Sequence, residues 1–250
     1  MSVRWRTQAR VSLLLGMAVS KRGRNRLLES IMEDCRLQEW AESVEFPVGH
    51  ELASPGDAST HFYFPISGVL STVISLREGQ TAQTLTIGSE GMVGIPVWLG
   101  IRSSLETVLQ QMPGEIIRIP ARIFCQRIVG RRRTERLLKR FTAYSLRFAS
   151  QSAVCNSHHN VGQRVSRWLL TMADRAGSAR LQTTQSLLAH MLGVRRQSVT
   201  GVARHMQRSG LINYQRGQIE IVDQKGLMTS ACECYGEMKV LYDSLVRTVL

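Results

Sequence analysis

The sequence is short of acid. Its 250 residues carry 19 Asp and Glu against 32 Lys and Arg, a formal net charge of +13. An excess of base on this scale points to a polyanionic partner, nucleic acid first and an anionic membrane second. Long hydrophobic runs are also missing. The apolar stretch VSLLLGMAV at 11–19 falls well below the ~20 residues a spanning helix needs. It imitates a secretory signal, but the basic cluster KRGRNR follows at once and disfavours export. Cysteine is scattered and odd in number (Cys35, Cys125, Cys155, Cys232 and Cys234), which excludes a disulfide framework and fits a reducing cytoplasm. There is no nucleophile elbow, no phosphate-binding glycine loop and no clustered carboxylate pair. No enzymatic chemistry, cofactor or metal is therefore expected.

What is present falls into successive units. Residues 1–24 read as a basic, disordered extension, with Met17 as an alternative start. Residues 25–43 carry Leu27, Leu28, Ile31, Met32, Cys35 and Leu37 at near-helical spacing, which predicts one amphipathic helix or two short ones. From Val44 to Pro120 short β-like runs alternate with turn clusters such as SPGD and REGQ, the pattern of a β-sandwich or β-roll. After Gly130, the residues Leu137, Phe141, Tyr144, Phe148, Gln151 and Cys155 recur at alternating spacings of four and three. That is the seam of a coiled coil. A stripe of this kind also suits packing on the β-roll. The length of the helix and its flanking base favour a dimerisation helix over 131–159.

The chemistry sits in LQTTQSLLAHMLGVRRQSVTGVARHMQRSGLINYQRGQIEI. Thr183 or Thr184 can cap a short helix, and Gly193 can supply the tight turn to a second helix that begins near Arg195. In the second helix Val199, Val202, Ala203 and Met206 form one inward face. The remaining surface holds Arg195, Arg196, Gln197, Ser198, Thr200, Gly201, Arg204 and Arg208, and no carboxylate. An ordinary solvated helix mixes charge signs. A helix in a major groove wants donors and no anions. Arg196 can grip guanine O6/N7 and Gln197 adenine N6/N7. Ser198, Thr200 and Arg204 can read bases or hold phosphate, and Gly201 allows close approach. The stretch GLINYQRGQIEIVD reads as a hairpin wing with Arg216 at its tip, against phosphate or the minor groove.

With these residues in view, the chain resembles the Crp/Fnr family of bacterial transcription regulators over roughly 25–230, most closely at LLAHMLGVRRQSVTGVARHMQRSGLI. The resemblance implies an α+β chain: a cyclic-nucleotide-binding-like β-roll over 25–130, the dimerisation helix, a winged helix-turn-helix over 160–230, and a tail helix over 231–250. It implies a homodimer on a palindromic double-stranded DNA site, contact with RNA polymerase and a cytoplasmic protein with no membrane role. The family's base-contacting positions fall on Arg196, Gln197 and Gly201. Gly201 departs from the long side chain common there, so no operator sequence carries over.

The family's nucleotide binders pair Gly with Glu and place an Arg beside a small hydroxyl residue some ten positions on. Here Gly94 keeps the glycine, but Ile95 stands in the acid's place, and Arg102 lies beside Ser103 and Ser104 earlier than the pattern requires. A buried ribose hydroxyl without an acceptor is costly. The pocket is therefore expected to be degenerate for cyclic AMP and cyclic GMP, with no effector assigned. Cys232-Glu233-Cys234 is half of a metal or redox site with no second pair at ligand spacing. Cys155 with His158 and His159 reads as the hinge after the seam. The family's iron–sulfur members carry an N-terminal cysteine cluster that this chain lacks.

Overall fold

The computed structural model describes residues 24–248. The extension expected over 1–24 lies outside them, except for Arg24, which pairs with Glu29 at 2.8 Å.

The first helix, α1 (Arg26–Cys35), is fixed at its start by one side chain. Asn25 Oδ1 accepts the Leu28 N–H at 2.9 Å, and its Nδ2 donates to the carbonyls of Pro65 (3.0 Å) and Gly91 (2.8 Å). The cap thus satisfies an orphan donor and ties the helix to the β-roll in one stroke. A 3-10 turn (Gln38–Trp40) leads into the strands. The first sheet is antiparallel, in the order β1 (Glu42–Val44), β7 (Ile116–Pro120), β3 (His61–Pro65). The second runs β2 (Glu51–Ala53), β6 (Thr107–Met112), β4 (Val69–Ser75), β5 (Thr81–Ile87). Strand alternation sorts β3: Phe62 and Phe64 are buried in the core with Leu70, Ile87, Ile116, Ile119 and Phe124, while His61 and Tyr63 lie on the other face. Two short helices, α2 (Ile95–Trp98) and α3 (Ala121–Ile128), complete the roll.

The long helix α4 (Arg132–His158) forms as its periodicity predicts, but its apolar stripe has a different destination. Leu137, Phe141, Tyr144, Phe148, Gln151 and Cys155 are all buried within the single chain, so they cannot serve as a seam between two copies. The β-roll, α1 and the C-terminal helix cover them. Gly91 lets this happen: a Cβ there would stand 2.3 Å from the Phe141 ring. Fully burying a residue such as Phe148 is worth about 1.5–3 kcal/mol, and the protomer itself collects it. The opposite side of α4 carries Thr142, Ala143, Leu146, Ala149, Ser150, Ala153, Val154 and Ser157. On it Leu146 is 66% and Val154 52% exposed.

Asn160 and Gln163 form a reciprocal capping box that starts α5 (Val161–Ala176) immediately after α4 ends. The chain continues through β8 (Arg180–Gln182), α6 (Gln185–Leu192), α7 (Arg196–Arg208), β9 (Ile212–Gln215), β10 (Gln218–Ile221), α8 (Gln224–Ser230) and α9 (Cys234–Thr248). A second apolar core, with Trp168, Leu169, Leu188, Val199, Met206 and Ile219, holds this unit together and reaches Val69 and Val73 of the roll. The class is the expected α+β.

Candidate nucleic-acid interface

The helix-turn-helix is built from its caps. Thr184 accepts the Leu187 N–H at 3.1 Å and starts α6, which decides between the two candidate threonines. Gly193 ends α6 in the left-handed conformation (φ 63), which a glycine reaches without a Cβ penalty. The next helix, α7, starts at Arg196, with Arg195 as its N-cap, not as its first turn. No side chain caps that end, and although the Ser198 N–H donates to the Arg195 carbonyl at 3.0 Å, the amides of Arg196 and Gln197 remain available to an anion.

Val199, Ala203 and Met206 turn into the core, with Val202 half-buried beside them. Arg195, Arg196, Gln197, Ser198, Gly201 and Arg204 are exposed. A Cβ at Gly201 would meet nothing within 4 Å, so the space in front of it is open. Thr200 is half-buried, and its hydroxyl donates to Gln185 Oε1 at 2.6 Å. That bond locks α7 to α6 and takes the hydroxyl away from base reading. The wing is a two-residue hairpin: Gln215 pairs with Gln218 across Arg216 (φ 46) and Gly217 (φ 79). Two successive left-handed residues define the type I′ turn that matches strand twist, and Arg216 is left exposed at the tip. The third strand, β8, pairs with β10 and anchors the wing.

This unit is locked to the β-roll. Thr81 donates to the His190 carbonyl at 3.1 Å, and Trp168 Nε1 donates to Gln83 Oε1 at 2.9 Å. Arg175 on α5 pairs with Glu90 at 2.8 Å, donates to the Tyr144 hydroxyl on α4, and stacks 3.8 Å over the Tyr242 ring of α9. Burial pushes the Tyr144 and Tyr242 phenols above their ordinary value, so they act as neutral partners.

The roll and α4 frame an open-sided cavity of about 510 Å³ lined mostly by apolar side chains, among them Leu85, Met92, Ile95, Leu99 and, from α4, Leu146. Gly94, Ile95 and Ser104 of the expected pocket line it. Arg102 and Ser103 do not: they sit on the loop where the Arg102 carbonyl accepts the Ser59 N–H and Ser103 bridges Ala58. No Lys or Arg contributes to the lining. Glu90, the nearest acid in sequence, is engaged by Arg175.

One constellation escaped the sequence. The structure gathers Cys155 and His159 with Cys232 and Cys234, which sequence reading treats as a hinge and an unmatched half-site with no metal role. Spacing alone does not reveal that α9 folds back on the end of α4. The i, i+4 interval between Cys155 and His159 is the signal that was available.

Comparison with known proteins places these features. Residues 163–230 match the Crp-like helix-turn-helix domain. Among solved structures, the chain is similar to a crp/fnr-family transcriptional regulator from Eubacterium rectale, at 22% identity over 77% of this chain and 90% of that one, with a TM-score of 0.63. FixK2 from Bradyrhizobium japonicum is similar at 14% identity over 77% and 98%, TM-score 0.64. CLP from Xanthomonas campestris, a regulator described as responsive to c-di-GMP, is similar at 16% identity over 79% and 98%, TM-score 0.62. By sequence, no curated protein matches the chain. The chain thus has the fold of the Crp/Fnr-family transcription regulators. Its C-terminal part is a Crp-like helix-turn-helix domain. No helix among the described residues is long and apolar enough to cross a membrane.

Proposed function

We propose that this protein is a sequence-specific DNA-binding transcription regulator that acts as a homodimer. The observation that carries the reading is α7. Its solvent face, with the N-cap Arg195 before it, presents Arg196, Gln197, Ser198, Gly201 and Arg204 without a carboxylate, beside a wing that projects Arg216. Arg196 and Gln197 read base edges; Arg195, Ser198, Arg204 and Arg216 hold phosphate or groove. Two copies meet along the outward stripe of α4 through Leu146, Ala149, Ala153 and Val154, whose small residues permit close helix approach. Paired recognition helices then enter successive major grooves about 34 Å apart. A bound dimer contacts or obstructs RNA polymerase. The reading includes a cytoplasmic setting, supported by the free cysteines, and no catalytic role.

The sensor cavity takes an uncharged, largely apolar molecule. A cyclic nucleotide, or the cyclic dinucleotide named for CLP, brings phosphate charge, and a buried phosphate needs a cation that this lining does not supply. A genome-wide map of bound sites, followed by binding titrations on the recovered sequence, tests the whole reading. Palindromic sites with steep salt dependence support it. Random occupancy, or binding indifferent to salt, overturns it.

A further inference from the structure

Where α4 ends and α9 begins, polar chemistry replaces apolar packing. Cys155 and His159 lie one helical turn apart on α4 and its C-cap, so they face the same side. Opposite them, Cys232 and Cys234 flank Glu233, with Cys234 as the first residue of α9. The three Sγ atoms and one imidazole nitrogen all lie within 4.8 Å of one another. Cys155 Sγ is 3.5 Å from Cys232 Sγ, and Cys234 Sγ is 3.7 Å from His159 Nδ1. A disulfide requires about 2.05 Å. A tetrahedral ion with metal–sulfur bonds of about 2.3 Å and a metal–nitrogen bond of about 2.0 Å requires donors about 3.5–3.8 Å apart.

The surroundings support a ligand set over plain packing. The three cysteines are buried, yet they form a group apart from both apolar cores. A cysteine acting as a small hydrophobe packs among apolar side chains. His159 Nε2 is held by Glu233 Oε2 at 3.1 Å, which orients the ring and leaves Nδ1 toward the sulfurs. A carboxylate on the far nitrogen is the usual outer partner of a metal-bound histidine. Gln151 Nε2 donates to Cys234 Sγ at 2.9 Å, as suits a thiolate. Arg164 and Arg167 of α5 lie near enough for their charge to act on Cys155. Three thiolates, one neutral imidazole and a divalent ion sum to one negative charge, which these guanidiniums offset.

We propose that Cys155, His159, Cys232 and Cys234 bind a single zinc-class divalent ion in a closed Cys3His site that staples the end of α4 to the start of α9. As each metal–sulfur bond forms, the thiol proton leaves to solvent. Four donors that all converge suit one ion; the ligands of an iron–sulfur cluster are divided between two or more irons and span a wider gap. The ligand pairs bracket the helix-turn-helix domain, and His159 adjoins Asn160, where α4 passes into α5. The ion fixes that junction and holds the DNA-binding unit at one angle to α4.

Full-length protein from zinc-supplemented cells is assayed for metal by plasma mass spectrometry and X-ray absorption. A stripped, reduced sample is titrated with Co(II). The expected result is about one ion per chain with three sulfurs and one nitrogen, and a tetrahedral Co(II)–thiolate spectrum. Cys232→Ser combined with Cys234→Ser lowers bound metal at least about tenfold, and Cys125→Ser leaves it unchanged. Less than about a tenth of an ion per chain in folded protein, with no Co(II)–thiolate band, overturns the site. Iron recovered with sulfide overturns it too, as does a metal content indifferent to the double substitution. If the double variant does not fold, the wild-type Co(II) spectrum decides. DNA binding is not a readout, so the outcome is separate from that of the proposed function.

Discussion

Arg175 on α5 and Glu90 in the β-roll form a 2.8 Å ion pair with side chains only 4% and 1% exposed. The pair joins the β-roll to the helix-turn-helix unit, with Tyr144 of α4 and Tyr242 of α9 on the same guanidinium. Breaking one side of a buried pair strands a charge and costs about 3–5 kcal/mol, whereas replacing both sides with apolar groups costs far less. Glu90→Ala is therefore expected to lower the urea midpoint sharply. Combining Glu90→Leu with Arg175→Met should restore most of it. A double variant whose loss equals the sum of the two single losses, measured by chemical denaturation, would show that the pair adds no coupling.

On DNA, Arg196 and Arg216 should behave differently. In the role proposed for it, Arg196→Ala removes a base contact, so it should cost about 1–3 kcal/mol on the recovered site and little on random DNA. If Arg216 holds phosphate as proposed, Arg216→Ala lowers both affinities together and drops the salt slope by about one. Fluorescence anisotropy on both DNAs across a salt series distinguishes the two. Matching losses for Arg196→Ala on both would assign it to phosphate.

How much of this was legible beforehand varies with the kind of constraint. Local rules placed the helix-turn-helix, because Thr184, Gly193 and the Arg216-Gly217 turn act through neighbouring backbone. The β-roll was legible from its alternation and turn clusters. The stripe of α4 was legible as a stripe but not by destination, since a period of three and four says which residues share a face and not what covers it. Thr200 looked free until its bond to Gln185 was visible. The cysteine cluster depends on α9 returning to α4, a contact between residues 77 apart in sequence for Cys155 and Cys232.

The two faces of α4 make opposite predictions. Phe148→Glu puts a charge in the protomer core and should destabilise the chain itself by about 3–5 kcal/mol. Leu146→Glu combined with Val154→Glu acts on the exposed stripe, so it should leave helix content intact and convert a dimer to a monomer in sedimentation. A folded Leu146→Glu/Val154→Glu protein that stays dimeric would move the interface elsewhere.

The β-roll should also show an acid-sensitive step at His61. Burial, first, and the Arg118 charge, second, hold its imidazole below the ordinary value. The unfolded chain takes the proton near pH ~6.5, and the folded chain takes it only at lower pH. Between those two values the unfolded state binds more protons, so stability rises with pH through that window and falls as pH drops through it. Above about pH 6.5 the neutral ring costs nothing, and below the folded value the loss is complete. His61→Gln cannot take the proton and should flatten this part of the profile. Urea midpoints for both proteins between about pH 5 and 7.5 provide the measurement, covering the range in which histidine alone among ordinary side chains changes charge. Parallel profiles would mean that His61 gains its proton equally well in the folded chain.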